Sequence, residues 1–325
     1  MTPQILILSL PEDVHALAVS LVLRRMGARC DIWHQTDFPA ADHLSLRISP
    51  GGEVGTQSDR AGDLAGTVIW SRRFSQLALE GRVHPEDLEA STRECSHFLN
   101  AMRYSLAPEA FWINPYATEF FATSKAVQLR LADRCGLHIP DTLMSNDAEA
   151  VRAFLRRHEA VIYKPYYPAQ WRGDSFYLYA FARTVREDDL GDPEALRFCP
   201  GIFQPQIEKA YEARVTVMGR EIVAARIDAK QEPGEVDDWR VTQIRPGAME
   251  ISPLEVPAEV AEASFRLMDA LGIVFGCFDF IIDPEGRWHF LEVNPAGQFL
   301  WVEVECPEIR MLETFCNFLL HGAAD

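Results

Sequence analysis

The chain has no closely spaced cysteine pair, no long uncharged apolar run and no low-complexity tract. Its 7 cysteines, Cys30, Cys95, Cys135, Cys199, Cys277, Cys306 and Cys316, are scattered. That spacing excludes a CxxC zinc or redox site and leaves reduced, mostly buried thiols. No stretch of about 18 uncharged apolar residues occurs, so no membrane-spanning helix is expected. Met1 runs into the strand-like Ile5–Leu10 with no basic segment ahead of it, and the cytoplasm is the default location. Positive charge is scarce too. With 31 Lys and Arg against 48 Asp and Glu, the net charge of −17 argues against nucleic acid or an anionic membrane as partner.

What is present is a composition of 48% hydrophobic and 24% charged residues in 325 positions, which describes a folded protein of two or three packed parts. The apolar run Ile5–Leu10, helical spacing over Glu12–Met26 with Gly27 behind it, and a strand over Arg29–Trp33 form a βαβ unit. A hairpin follows around Pro50-Gly51-Gly52, then a buried strand at Thr67–Trp70, a helix over Pro85–Met102 and a strand end at Phe111–Asn114. Pro115 marks a boundary near Asn114.

Beyond it the spacing predicts a helix over Thr118–Cys135, a strand at Thr142–Met144, and a helix over Ala148–His158 capped by Ser145 or Asn146. A strand over Ala160–Lys164, a loop at Tyr167–Ser175 and a strand over Phe176–Phe181 come next. A third region beginning near Gly201 carries strands at Ile202–Gln206, Arg214–Met218 and Ile222–Ile227. It continues with a helix over Ala258–Leu271 and a hairpin over Val274–Asn294, turned by Asp283-Pro284-Glu285-Gly286.

That hairpin carries the sharpest chemical signal. With Pro284 and Glu285 as the turn, Asp279 faces Phe290 and Glu292 faces Cys277. The two carboxylates are then diagonal neighbours on one face, about 7–8 Å apart. The same face holds Cys277, Ile281, Trp288 and Phe290, and the other holds Phe278, Phe280, Ile282, Leu291 and Val293. Burying unpaired carboxylates there costs several kcal/mol, so a cation is expected to meet them. Oxygen ligands alone, with the Asn294 amide two residues on, suit Mg²⁺. The alternative is an edge hairpin whose acids face solvent.

The segment "FGCFDFIID" followed by "FLEVNP" resembles the metal hairpin of ATP-grasp enzymes, in the order Asp279, Glu292, Asn294. The resemblance implies an ATP-grasp fold of α/β and α+β parts: an N-terminal α/β domain over 1–114, a central subdomain over 115–200 and a C-terminal subdomain over 201–325. It implies ATP and Mg²⁺ as cofactors. Lys125 in "TSKAVQL" and Lys164 in "IYKP" match the phosphate-binding lysines, backbone groups of Gln206 and Ile207 the adenine hinge, and Glu212 the ribose acceptor. Read alone, Lys125 has a solvated helix position as its lesser alternative, and Glu212 is equally a strand-edge charge. The loop "YPAQWRGDS" has one glycine where relatives have several, and Arg172 is its candidate for meeting phosphate, against solvent exposure as the alternative.

Along nearly the whole chain, the sequence resembles the ligases that make microviridin-type graspetides. "EDVHALAV", "IWSRRF", "YEARVTVMGREIVAARID", "DDWR" and "LEVNPAGQFLWVE" carry the likeness, with Ala296 standing where relatives often have Asn. This implies an ADP-forming macrocyclase acting on a ribosomal precursor peptide of leader and core. Side-chain carboxylates would become acyl phosphates captured by a hydroxyl or amine. Arg226 and Arg240 are the candidates for the acyl phosphate; the alternative pairs them with Asp228 and Asp238. Arg72 or Arg73, at the end of a buried strand, is the candidate for the substrate carboxylate, and adjacent positions cannot both point inward. A ligase for free amino acids or small peptides, and a noncatalytic nucleotide- or peptide-binding module, are the competing readings. Oligomeric state, a homodimer included, stays open.

Overall fold

The computed structural model describes residues 4–60, 62–63, 68–73, 77, 79–166, 170–172, 177–179, 182–229 and 248–322. The chain opens with β1 (Gln4–Ser9), α1 (Val14–Arg25) and β2 (Arg29–His34). Asp13 caps α1: its Oδ1 accepts from the backbone N of His15 at 3.0 Å and its Oδ2 from Ser9 Oγ at 3.0 Å. A small antiparallel sheet of β3 (Leu44–Ile48), β4 (Val54–Ser58) and β5 (Gly62–Asp63) branches off. Then β6 (Val68–Ser71), α2 (Leu88–Ser105) and β7 (Phe111–Ile113) complete a parallel sheet in the order β2-β1-β6-β7. Parallel strands need cover on both faces. Ile5 and Ile7 pack with Val19 and Leu23 of α1, while Leu6 and Leu8 pack with Leu99 and Met102 of α2.

The helix expected over Thr118–Cys135 is two helices, α3 (Glu119–Thr123) and α4 (Lys125–Arg134). Ser124 divides them, because its extended backbone (φ −71°, ψ 109°) interrupts the helical ladder, and Lys125 becomes the first residue of α4. Next come β8 (Leu143–Ser145), α5 (Ala148–Arg157) and β9 (Val161–Lys164). The cap of α5 is Asp147 rather than Ser145 or Asn146, its Oδ1 accepting from Glu149 N at 2.9 Å. The stretch expected as a glycine-poor loop contains β10 (Gln170–Arg172), which pairs antiparallel with β11 (Tyr177–Tyr179).

The remaining central elements are β12 (Arg183–Val185), α6 (Pro193–Phe198) and β13 (Gly201–Pro205). The central sheet runs β12-β9-β13-β8. Its β13 lies between β9 and β8, so Gly201 does not open the third region. The acidic connection ahead of it resembles a boundary in composition, but the main chain of β13 returns to bond with both earlier strands.

The last sheet is antiparallel: β14 (Tyr211–Met218), β15 (Glu221–Ala229), β16 (Met249–Pro253), β17 (Phe275–Ile282) and β18 (Trp288–Asn294), in the order β16-β15-β14-β17-β18. α7 (Ala258–Leu271) and α4 cover one face. The other face meets the N-terminal sheet through α8 (Leu300–Glu305) and α9 (Met311–His321). There Trp70, Phe275, Phe299 and Phe315 form an aromatic knot, with ring centroids 4.7 Å apart for Trp70–Phe315 and 5.1 Å for Phe275–Phe315. Each such buried ring contributes about 1.5–3 kcal/mol. No described helix is long and apolar enough to cross a membrane.

Candidate active site

Alternation along β14 and β17 sorts side chains between two faces. Ala213, Val215, Phe278 and Phe280 enter the core under α7. Glu212, Arg214, Cys277 and Asp279 lie on the opposite face, Arg214 directly across from Asp279. Their side chains make a buried ion pair, Arg214 Nη1 donating to Asp279 Oδ1 at 2.8 Å with exposures of 5% and 7%. Arg214 also donates from Nη2 to the Gln298 carbonyl at 3.0 Å. Arg214 is not among the residues that the sequence motifs single out. The available signal was its place two positions after Glu212, in the same alternation.

The hairpin differs from the expected register. Its connection is three residues, Pro284–Gly286: Gly286 N donates to Asp283 O at 2.9 Å, Asp283 N to Arg287 O at 3.1 Å, and Gly286 takes φ +82°. The Asp283 carboxylate fixes this turn. Contact with the His289 ring (2.9 Å), then hydrogen bonds from Arg287, hold it well below the usual carboxylate range. A bulge then shifts the pairing between Asp279 and Phe280. Asp279 therefore sits directly opposite Glu292, not diagonal to it, at a side-chain separation of about 4.5–5.5 Å between Cβ atoms. Phe290 pairs with Phe280 instead of Asp279, and Phe290 and Trp288 join the core under α7. The carboxylate face is thereby more polar than the sequence implied.

Lys125 reaches around the β18 edge to pair with Glu292 Oε2, half-exposed at 29% against 17% for the glutamate. α4 is locked there by Gln128, which accepts from Val293 N at 3.0 Å and donates to Val293 O at 2.8 Å. Lys164 ends β9 opposite Ile202, in the alternation of Ile162. Glu212 is buried and pairs with Lys209 Nζ at 2.9 Å. The backbone N of Gln206 donates to Ala160 O at 2.9 Å, continuing the sheet, so that N–H is not open to an adenine. The Gln206 carbonyl and the half-buried Ile207 are what the hinge retains for that role.

Two of the candidate arginines have protein partners of their own. Arg226 pairs across β14 with Ala213, on the face away from Asp279. It forks onto Asp228 at 2.7 and 2.8 Å and lies 4.0 Å over the Tyr211 ring. One strand position decides this, because 226 alternates with 224 and 222 into the core under α7. Arg72 is not open to a substrate carboxylate: its side chain is 1% exposed, beside Asp13 Oδ2 at 3.4 Å, and it donates from Nη1 to the Ala296 carbonyl. Arg73, 44% exposed and 3.7 Å from the same oxygen, is the solvent-facing member. Arg240 and the side chain of Arg172 lie outside the described residues.

Asp279, Glu292 and the Asn294 amide offer oxygen donors only. Among the described residues no cluster of three or more His, Cys, Asp or Glu side chains is placed to hold a metal alone. Mg²⁺ does not need such a cage, since it is held by one or two carboxylates together with waters and phosphate oxygens. The donor set fits that mode. Arg214 and Lys125 place positive charge beside the two facing acids.

No family model and no curated protein matches the chain. Solved structures match it along its length. A RiPP-associated ATP-grasp ligase of Chryseobacterium gregarium, in complex with ADP and a leader and core peptide, superposes at TM-score 0.88 and 26% identity, over 100% of this chain and 98% of that one. The macrocyclase MdnC of Microcystis aeruginosa MRC, bound with precursor peptide MdnA, gives TM-score 0.82 and 27% identity over 97% and 99%. The ATP-grasp ligase PsnB, complexed with a phosphomimetic variant of minimal precursor, Mg and ADP, shares the fold at TM-score 0.78 and 22% identity, over 99% of each chain. Sharing its architecture from end to end with these proteins, the chain has the ATP-grasp fold and is similar to RiPP-associated ATP-grasp ligases.

Proposed function

We propose that the chain is an ADP-forming ligase that crosslinks a ribosomal precursor peptide through its side chains, acting in the cytoplasm on ATP with Mg²⁺. The observation that carries this reading is the direct opposition of Asp279 and Glu292 with Arg214 and Lys125 beside them. Supporting it, the Chryseobacterium ligase was solved with ADP and a leader and core peptide, MdnC with a precursor peptide, and PsnB with Mg and ADP. In this reading the nucleotide lies between the central sheet and the carboxylate face, with the C-terminal part starting after β13.

Asp279, Glu292 and the Asn294 amide would hold Mg²⁺, whose charge would favour phosphoryl transfer. Lys164 and Lys125 would hold phosphate oxygens as point charges. Lys125, which pairs with Glu292, lies beside the carboxylates that would hold the ion. Glu212 would accept the ribose hydroxyls. A peptide carboxylate attacks the γ-phosphorus, the β–γ bond breaks to release ADP, and a hydroxyl or amine captures the acyl phosphate with loss of phosphate. Arg214, holding Asp279 through Nη1 and the Gln298 carbonyl through Nη2, would keep the Asp279 carboxylate in place.

The test is mass balance with a cognate precursor, ATP and Mg²⁺. Each crosslink should remove one water mass and release one ADP. AMP as the nucleotide product, or a phosphorylated peptide as the final product, would overturn the reading. Lys164→Met should weaken ATP binding about tenfold or more by calorimetry, and unchanged affinity would place the nucleotide elsewhere.

A further inference from the structure

The segment behind Asn294 is gripped at five backbone groups, and four of the grips come from the N-terminal α/β part. Asn114 Nδ2, at the end of β7, donates to Pro295 O at 2.9 Å and to Phe275 O at 2.8 Å. Its Oδ1 accepts from Val274 N at 2.8 Å and Phe275 N at 2.9 Å. Arg72, at the end of β6, donates to Ala296 O. His15, in the first turn of α1, accepts at Nε2 from Phe299 N at 3.1 Å and Leu300 N at 3.2 Å. From beneath, Arg214 holds Gln298 O. Gly297 lies so close to β17 that a Cβ there would stand 2.6 Å from Cys277 Cβ and Sγ.

The arrangement is specific in its chemistry. His15 serves as an acceptor, so its ring must be neutral; burial, then the Arg72 charge, hold it at about 4. Arg72 is buried with Nε and Nη2 lacking hydrogen-bond partners among the described residues. Burying a guanidinium this way is costly. Its gains are one carbonyl of the 295–300 segment and proximity to Asp13.

We infer that His15, Arg72 and Asn114 are positioning residues: the strand ends of the N-terminal sheet and the start of α1 form a clamp on residues 295–300 that fixes the Asn294 amide and Glu292 for the metal. The inference rests on the proposed metal site. Groups that orient metal ligands from behind characteristically change metal affinity about 10–100-fold when removed.

Mn²⁺ binding to the full chain saturated with ADP, counted by electron paramagnetic resonance, tests the clamp alongside the melting temperature. His15→Leu, which removes the acceptor, should weaken Mn²⁺ about tenfold or more while ADP affinity without metal is unchanged. His15→Gln, whose amide oxygen can take the same two N–H groups, should restore most of it. Gly297→Ala, which lifts the segment from inside, should reproduce the loss without touching the N-terminal sheet. Normal Mn²⁺ affinity in folded His15→Leu and Gly297→Ala, or no restoration by His15→Gln, overturns the clamp. If His15→Leu fails to fold, normal affinity in Gly297→Ala alone does so. Asp279→Asn is the reference. If it loses Mn²⁺ while the clamp variants do not, only the clamp falls; if it retains Mn²⁺, the metal site falls and the clamp with it.

Discussion

Arg214 and Arg226 sit on neighbouring strands of one sheet, each bound to an aspartate, and they have little else in common. Arg214 bonds across strands to a carboxylate at 7% exposure; Arg226 bonds along its own strand to one at 38%. The first pair is shielded from water and faces Glu292 and Glu212. The second is solvated, on the opposite alternation, and its attraction is screened. Residue type and local sequence do not separate them. A single step of register does, and with it the capacity to bind an anion strongly.

Substitutions sharpen that contrast. The largest effect is expected for Asp279→Asn, which should lower Mg-dependent ADP formation by at least about a thousandfold in a folded protein; a near-normal rate in the purified variant would refute the site. Arg214→Met should cost about 3–5 kcal/mol in urea unfolding, because it leaves a buried carboxylate without its cation. Adding Asp279→Asn to it should recover part of that loss, and strictly additive effects would mean the two do not interact.

His15 gives a smaller, pH-dependent effect. Its folded value of about 4 lies below the usual 6.5, so the unfolded chain takes up the proton first. Its contribution is full above about pH 6.5, is lost as pH falls toward 4, and amounts to a few kcal/mol at most. The unfolding midpoint of His15→Gln should fall less over that window than wild type. The smallest effect is expected for Arg226→Ala, under about 1 kcal/mol in stability and near wild type in ADP formation. A large loss of turnover would reverse the comparison and return Arg226 to the site.

Much of the architecture was legible because it is written in local periodicity. The βαβ opening, the carboxylate-bearing hairpin and the helix over Ala258–Leu271 follow from apolar spacing, Gly27 and the Asp283 turn. What escaped depends on partners far away in the chain. The bulge on β18 follows from how Phe290 seats beside Phe280, and nothing within "WHFLEVN" announces it. The sheet to which β13 belongs is decided by strands some forty to sixty residues earlier. Ser124 divides a helix inside a sequence with helical spacing on both sides. Of the site, Asp279 and Glu292 were readable as charges between apolar neighbours. Arg214 was hidden because alternation gives a period and not which face the core will choose.

The aromatic knot has a consequence for how the chain is made. Ile5, Ile7, Val19 and Leu23 share one core with Phe299, Phe315 and Leu319, and Cys316 Sγ meets Val19 O at 3.9 Å. On the ribosome β1 therefore waits for the much later α9 before its apolar face is sealed. Until then the nascent N-terminal sheet presents an open hydrophobic side, the condition under which chaperones bind and aggregation competes. A stop codon just before Met311 would leave that side uncovered for good, and the shortened chain should accumulate in the insoluble fraction even though Lys125, Lys164, Asp279, Glu292 and Asn294 are all still encoded.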